Sequence, residues 1–323
     1  MDRVLNDRSG VSARTRQLVH STARIIGYLP DVAPEVPLTK LVAFLPQGTN
    51  EFIDGLRGHM IAEAAAMPGV ELELPKITQM DARAMAQALS EVGDVQGVAL
   101  VALSHPRVHD ALSRVAARNI PVVTLLSDLP DTLRRAYVGI DNLRAGRLAG
   151  EVITRFLGPN PTGKVAHFAG SLTYRGHQER DVGLRQYLAE EAPGLDLLEL
   201  RESGDDGDRA HAQATAKLAQ HPEICAIYNA GGGTGGIARA LHDSGRAQSV
   251  IFVAHDVTDT NKGFLLDGTL DAIIDQDAKR EAQETLAALV AAAQGHPHTP
   301  SQLRLHLVLK ENIPSDGRPP PFD

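Results

Sequence analysis

Residues 41–46 read LVAFLP, residues 47–51 QGTNE and residues 52–66 FIDGLRGHMIAEAAA. An apolar run too short for a helix gives way to a polar loop and then to a helix-like stretch. The unit then repeats. GVELELP at 69–75 precedes DARAMAQALSEV at 81–92, GVALVAL at 97–103 precedes VHDALSRVAARN, and PVVTLL at 121–126 precedes a loop. AYVGID at 136–141 leads into a helix expected from Asn142 to Phe156. The alternation restarts with KVAHFAG at 164–170 and a helix from about Gln178 to Glu190. LDLLEL, ICAIYN, SVIFVAHD and DAIIDQD then each precede a helical segment, the last being EAQETLAALVAAA at 281–293. Near-continuous apolar strands alternating with helices specify parallel sheets covered on both faces. So many strands exceed one compact sheet, and two open doubly wound sheets are expected, the first ending near the GPNPTGK loop at 158–164.

Composition narrows the function classes. A chain of 323 residues, 43% hydrophobic and 22% charged, has the make-up of a globular protein with a sizeable core. No apolar run approaches the roughly 20 residues that span a bilayer, so no membrane partner is expected. Met1, Asp2 and Arg3 open a polar stretch without the pattern of a signal peptide. Cys225 is the one cysteine, which excludes an internal disulfide and a cysteine-cluster metal site and fits a reducing cytoplasm. The formal charge of −8 at pH 7 argues against nonspecific nucleic-acid coating by the main body.

The first thirty residues, MDRVLNDRSGVSARTRQLVHSTARIIGYLP, are basic by contrast, with Arg3, Arg8, Arg14, Arg16 and Arg24. As a plain amphipathic helix, the segment would be capped by Ser12, carry Val19, Ala23 and Ile26 on one face and end at Gly27. Val11, Ser12, Thr15, Arg16, Val19, Gly27, Tyr28 and Pro30 also follow the pattern V-S-x-x-T-R-x-x-V…G-Y-x-P. In this the segment resembles the tail of the DNA-binding headpiece of LacI-family transcription repressors. The resemblance implies a ligand-responsive regulator, with operator DNA as a partner and Arg3, Asn6, Arg14 and Arg16 as DNA-contacting residues. It also implies that the family's first helix and most of its recognition helix would precede Met1. The linker DVAPEVPLTK at 31–40 departs from the family, because Pro34 and Pro37 disfavour a hinge helix there.

For residues 41 to about 314, the order of elements resembles the two-lobed type I periplasmic-binding-protein fold that such repressors share with sugar-binding proteins. That implies a partial headpiece at 1–30, a linker at 31–40, a first lobe of 41–160 plus about 276–297, a second lobe of 161–275 plus about 298–314, and a tail at 315–323. It also implies a homodimer formed mainly through the first lobe and a small sugar or polyol effector between the lobes, with no cofactor.

Ligands of doubly wound sheets sit at the carboxyl ends of the strands. Residues following the strands include Asn50 and Phe52, Ser104, Asp141, Tyr174 and Arg175, Asn229, Asp256 and Gln276. Carboxylates, amides and hydroxyls of this kind match sugar hydroxyls, which both donate and accept. FVAHDVTDT…LLDGTLDAIIDQD resembles the family's signature of an Asp ending one strand and a Gln ending the next. Asp256 and Gln276 then contact the sugar; an N-cap and a turn residue are the plain alternatives. GHQERDVGLRQYL resembles the family's R-x-x-G segment, whose Arg, here Arg180 ahead of Gly183, points into the cleft. Asn50 and Phe52 match the loop where a polar residue and an aromatic flank the sugar, though Phe52 also suits a helix-start core position. Asp141 equally suits a cap.

YNAGGGTGG at 228–236 opens a competing reading. Gly231, Gly233 and Gly236 satisfy G-x-G-x-x-G, with Asp256 20 residues beyond, the form of a dinucleotide fingerprint. Five glycines in six residues satisfy many patterns by accident. Three function classes stand: a ligand-responsive regulator, favoured by the N-terminal segment, a solute-binding protein serving a transporter, and an NAD-dependent enzyme. No G-x-S-x-G elbow or H-E-x-x-H pair supports catalysis.

Overall fold

A computed structural model describes residues 4, 10–28, 38–78, 80–129 and 134–314. The chain divides into two units, Met1–Leu38 and Thr39–Asp323. In the first unit, helix α1 (Ala13–Ile25) starts where the sequence places it. The Ser12 hydroxyl accepts from the Thr15 amide at 3.2 Å. At the other end Gly27 adopts φ +71°, and the Tyr28 amide donates to Ala23 O at 2.8 Å, a Schellman closure. Ala23 is buried, whereas Ile26 is 62% exposed and falls off the expected apolar face. Arg14 is exposed and Arg16 half-buried. Arg3, Asn6, Pro34 and Pro37 lie outside the described residues.

The second unit is the two-lobed α/β fold with parallel sheets. The first sheet runs β3 (Val70–Glu73), β1 (Thr39–Phe44), β5 (Gly97–Leu100), β6 (Val122–Leu125) and β7 (Ala136–Val138), all parallel. Helices α2 (Glu51–Ala66), α3 (Ala82–Ser90) and α4 (Pro106–Ala117) connect its strands. A small pair, β2 (Pro46–Gln47) and β4 (Ile77–Thr78), stands beside it. The second sheet runs β10 (Arg201–Glu202), β8 (Gly163–Ala169), β11 (Ile224–Asn229), β12 (Ile251–His255), β13 (Ala272–Asp275) and β14 (His306–Val308), with β9 (Leu195–Leu197) also on β8. Only β14 is antiparallel. Helices α6 (Arg175–Glu191), α7 (Gly207–Gln220), α8 (Thr234–Asp243) and α9 (Asp259–Asp267) belong to this half. The central strands β5, β6, β8 and β11 are buried on both faces, as their uninterrupted apolar runs require.

Two helices sit across the sequence order. Helix α5 (Asn142–Leu157) follows the last strand of the first sheet, yet it packs on α6 and on β11, β12 and β13. The expected lobe boundary near 160 therefore falls inside the second lobe, and the chain crosses just before Asn142. Helix α10 (Ala278–Ala293) follows β13 but packs on α2, β5 and β6 of the first lobe. The chain returns to the second sheet at β14.

The α5–α6 contact is a backbone contact. A Cβ on Gly146 would lie 2.0 Å from Arg180 O, and one on Gly183 would lie 2.1 Å from Leu143 O. One on Gly150 would meet the Tyr187 ring at 2.7 Å. Glycine in a helix interior is unfavourable by roughly 0.5–1 kcal/mol relative to alanine, so close approach is what these positions gain. Gly146→Ala is expected to lower unfolding free energy by about 1–3 kcal/mol, since the intruding methyl meets a carbonyl that cannot rotate away. Gly55→Ala, in α2 where an added Cβ meets nothing within 4 Å, is expected to raise it by about 0.5–1 kcal/mol. Urea unfolding of the two variants checks the pair, and equal effects would contradict the packing argument.

Candidate functional site

The cleft is lined by loops that follow strands in both lobes. In the first lobe, Asn50 caps α2, its Oδ1 accepting from the amides of Phe52 and Ile53 at 3.1 and 3.5 Å. Its Nδ2 crosses the cleft and donates to Asp205 Oδ2 at 3.2 Å. Thr49 Oγ1 donates to Asp205 O at 2.9 Å, and Glu51 Oε1 accepts from Thr260 Oγ1 at 2.5 Å. The start of α2 therefore holds the two lobes together.

In the second lobe, Arg180 lies in the second turn of α6 and is 4% exposed. Its Nε donates to Asn142 Oδ1 at 2.8 Å, Nη1 to Ala230 O at 2.8 Å and Nη2 to Gln276 Oε1 at 3.0 Å. Gln276 Nε2 donates in turn to Asp256 Oδ1 at 2.7 Å. A buried guanidinium needs such a set of acceptors, because an unpaired buried charge is strongly destabilising.

Asp205 and Asp256 both hold left-handed backbone, φ 56° and 70°. Asn261 Nδ2 pins the second by donating to His255 O at 3.0 Å and Asp256 O at 2.9 Å. Asp205 Oδ1 accepts from the Gly232 amide at 2.7 Å. Non-glycine residues in this region are uncommon and concentrate at functional sites.

Two cavities, of about 210 and 60 Å3, share Asn50, Phe52, Asp205, Gly231 and Asp256 in their walls. The smaller, inner one adds Leu126, Ser127, Tyr174, His177, Arg180 and Gln276. The larger one opens over the glycine loop and Thr258, Thr260 and Asn261. Phe52 and Tyr174 provide the aromatic surface in a chain without tryptophan.

Burial pushes the Asp256 carboxyl up to about 7, against the opposing pull of Arg180 and the Gln276 amide. Burial pushes His177 down to about 4, so it is neutral at pH 7, with Asp205 pulling the other way. Glu281, behind the cleft, is held well above the usual carboxylate range by burial and then by Asp256.

Six of the ten sequence-derived ligand candidates meet in the cleft: Asn50, Phe52, Tyr174, Arg180, Asp256 and Gln276. Four line neither cavity. Ser104 uses its amide to reach Thr173 O at 2.8 Å. Asp141 caps α5 through the Arg144 amide at 2.9 Å and pairs with the Arg144 guanidinium at 3.3 Å. Arg175 pairs with Glu179 at 2.7 Å on the surface. Asn229 lies beneath the glycine loop, donating to Gly231 O at 2.9 Å, Gly232 O at 3.1 Å and Thr234 Oγ1 at 3.0 Å.

The sequence reading missed Asp205, His177 and Asn261. A signal for Asp205 was present: it follows a short strand within Ser-Gly-Asp-Asp and precedes the helix opening at Gly207. The glycine run has a packing cause. Added Cβ atoms at Gly231, Gly232 and Gly236 would collide with Gly170 N at 2.4 Å, Asp205 Cβ at 2.8 Å and Gly207 O at 1.9 Å. These glycines let two loops touch, which seats the Asp205 carboxylate against the Gly232 amide.

Residues 42–297 match the family described as periplasmic binding protein domain. The chain is 29% identical over 147 residues to the D-ribose/D-allose-binding protein of Pseudomonas aeruginosa, and the match spans about half the length of that curated relative (45%) and 45% of this chain. Among solved structures, the glucose-galactose binding protein of Geobacillus stearothermophilus superposes with a TM-score of 0.78 at 23% identity, covering 87% of this chain and 100% of that one. An ABC transporter solute binding protein of Burkholderia graminis in complex with D-arabinose gives 0.80 at 23% identity, covering 89% and 100%. These likenesses fix the fold.

They also correct the reading of the N-terminal segment. The matched family is a periplasmic binding protein domain and the relatives are named as sugar- or solute-binding proteins, which overturns LacI-family membership, transcription regulation, repression and DNA binding. Operator DNA, and the homodimer implied by kinship with such repressors, go with it. Among the described residues, Thr15, Arg16 and Val19 of the matching positions lie on one helix, and its two caps account for Ser12 and Gly27 without any DNA.

The raised Asp256 carboxyl gives a ligand-free test. Its folded value of about 7 lies above the ordinary 3.8, so its contribution to stability is present below about pH 4 and is lost as the pH rises through about 7. Asp256→Asn, neutral throughout, is expected to gain in Tm relative to the wild type between pH 5 and pH 8. Parallel Tm profiles for the two proteins would mean that the carboxylate ionises in the fold without cost.

Proposed function

The chain belongs to the periplasmic binding protein domain family, and from that premise we propose that it binds a neutral monosaccharide between its lobes and delivers it to an ABC-type transporter. The observation that carries this reading is the linked set Arg180–Gln276–Asp256 at the cleft floor, facing Asn50 and Phe52 from the opposite lobe. Gln276 bonds Asp256 Oδ1, and both cavities reach the same carboxylate. A carboxylate oxygen so placed accepts from sugar hydroxyls, while Phe52 and Tyr174 cover the apolar face of the ring.

Charge favours neutral ligands. Glu51, Asp205 and Asp256 line the cleft, each of the three Arg180 nitrogens donates to an acceptor within the protein, and Arg239 pairs with Asp208 at 2.7 Å. A sugar acid or sugar phosphate would enter an acid-rich space. The relatives bear names with the same chemistry: D-ribose or D-allose, glucose or galactose, and D-arabinose. The relatives are binding proteins rather than enzymes, and binding followed by release suffices for this role. Ligand shifts the open–closed equilibrium only by its differential affinity for the two forms, and the contacts of Thr49, Asn50 and Glu51 with the second lobe exist only in the closed one.

A thermal-shift panel of neutral pentoses and hexoses, sugar acids and sugar phosphates tests the proposal. A ligand at 100 times its Kd stabilises the folded state by about 2.7 kcal/mol. At least one neutral sugar is expected to raise Tm by several degrees in the wild type and by less than one degree in Asp256→Ala. A panel in which only anionic sugars shift Tm would overturn the reading.

A further inference from the structure

Behind the inner cavity lies a strained turn that the sugar site does not itself explain. Leu126 follows β6 with φ 61°, and the Ser127 amide donates to Leu125 O at 2.6 Å across it. A three-residue turn whose centre has positive φ is the rare, strained hand of the γ-turn. Leu126 and Ser127 both line the inner cavity. The turn is held from both sides of its central residue. The Leu126 amide is shared between Val138 O and Glu281 Oε1, each at 3.1 Å. Its carbonyl accepts from Tyr137 OH and Asn142 Nδ2, each at 3.2 Å. Asn142 then passes the constraint on, because its Oδ1 accepts from Arg180 Nε at 2.8 Å.

Glu281 is the unexpected member. It lies in the first turn of α10, where a solvated acid would be ordinary. Instead it is fully buried, and its Oε2 has no hydrogen-bond partner. A buried, half-satisfied carboxyl is destabilising, and helix-end electrostatics do not require burial. It lines neither cavity, so it does not touch a ligand held there.

We infer that Glu281 is a positioning residue for the cleft: it holds the strained Leu126 turn, and through that turn and Asn142 it sets the Arg180 guanidinium. Its effect on affinity rests on the sugar-binding reading; its effect on the turn does not. Burial keeps Glu281 well above the usual carboxylate range, so glutamine is close to an isostere of the resident form and retains an acceptor for the Leu126 amide. Leucine keeps the volume and removes the acceptor.

The experiment compares Glu281→Gln, Glu281→Leu and wild type by amide hydrogen exchange of the 124–128 segment without ligand. Each is then titrated calorimetrically with the neutral sugar giving the largest thermal shift. Glu281→Leu is expected to exchange at least fivefold faster in this segment, with exchange in β12 unchanged, and to bind the sugar about tenfold more weakly. Glu281→Gln is expected to stay within twofold of wild type on both measures. Exchange in Glu281→Leu within twofold of wild type would overturn the inference, as would equal losses in the Gln and Leu variants. If Glu281→Leu does not fold, Tyr137→Phe, which removes one bond to the Leu126 carbonyl, is expected to speed exchange in the same segment about threefold. No change in that variant would overturn the inference. If no sugar binds the wild type, the sugar-binding reading fails while the exchange comparison still decides the role of Glu281.

Discussion

The buried guanidinium of Arg180 constrains more of this molecule than any other group. It is almost out of water, so each of its nitrogens must find an acceptor fixed in place. Those acceptors come from the start of α5, the loop after β11 and the end of β13. Three segments far apart in sequence therefore have to meet at one point. One of them, Gln276, stands at the crossing from the second sheet to the first-lobe helix α10. Another, Asn142, stands just after the first crossing. The cation thus ties down two of the three places where the chain passes between lobes.

For the guanidinium to reach that point, α6 has to lie against α5 at backbone distance. Gly146 and Gly183 supply it, each leaving room for a carbonyl of the other helix. The second lobe repeats the device around Asp205, where Gly232 lets the loop after β11 lie on Asp205, Gly231 lets it lie on Gly170, and Gly236 lets α8 approach the Gly207 carbonyl. In both places side-chain volume is given up so that a charged group is fixed by backbone. The carboxylates that result, Asp205 and Asp256, occupy left-handed backbone secured by specific bonds. Groups held this way are preorganised, and less ordering entropy is then lost on binding.

The same facts explain which parts were legible in the sequence. Strand and helix order was readable because parallel strands buried on both faces are apolar throughout and interrupted by polar turns. Asp256 and Gln276 were readable as cleft-lining positions because the residue just after such a strand lies at the ligand end of the sheet. The lobe assignment of α5 was not readable, since its glycines look like propensity defects until α6 is placed beside them. Ser104, Asp141, Arg175 and Asn229 share the strand-end position with true lining residues; only their local bonds, to a cap, an ion pair or a glycine loop, separate them. The signal for Asp205 was faint because its strand, Arg201–Glu202, is two exposed residues long. The repressor reading failed for a different reason. A capped amphipathic helix needs few residue types at fixed spacing, so a handful of matches weighs little against a family match across residues 42–297.

The closed geometry bears on how binding and lobe motion are joined. Thr49, Asn50 and Glu51 bond to the second lobe through a backbone carbonyl, one carboxylate oxygen and one hydroxyl. Net gains from such exchanged hydrogen bonds are about 0.5–1.5 kcal/mol each, a sum that opposes but does not forbid opening. A ligand in the inner cavity touches Phe52 on one side and Arg180, Gln276 and Asp256 on the other. It adds contacts that exist only when the lobes meet and leaves the latch at the start of α2 intact. Closure and binding then reinforce one another by linkage, and weakening the latch weakens binding by more than the contacts its own residues make with the ligand.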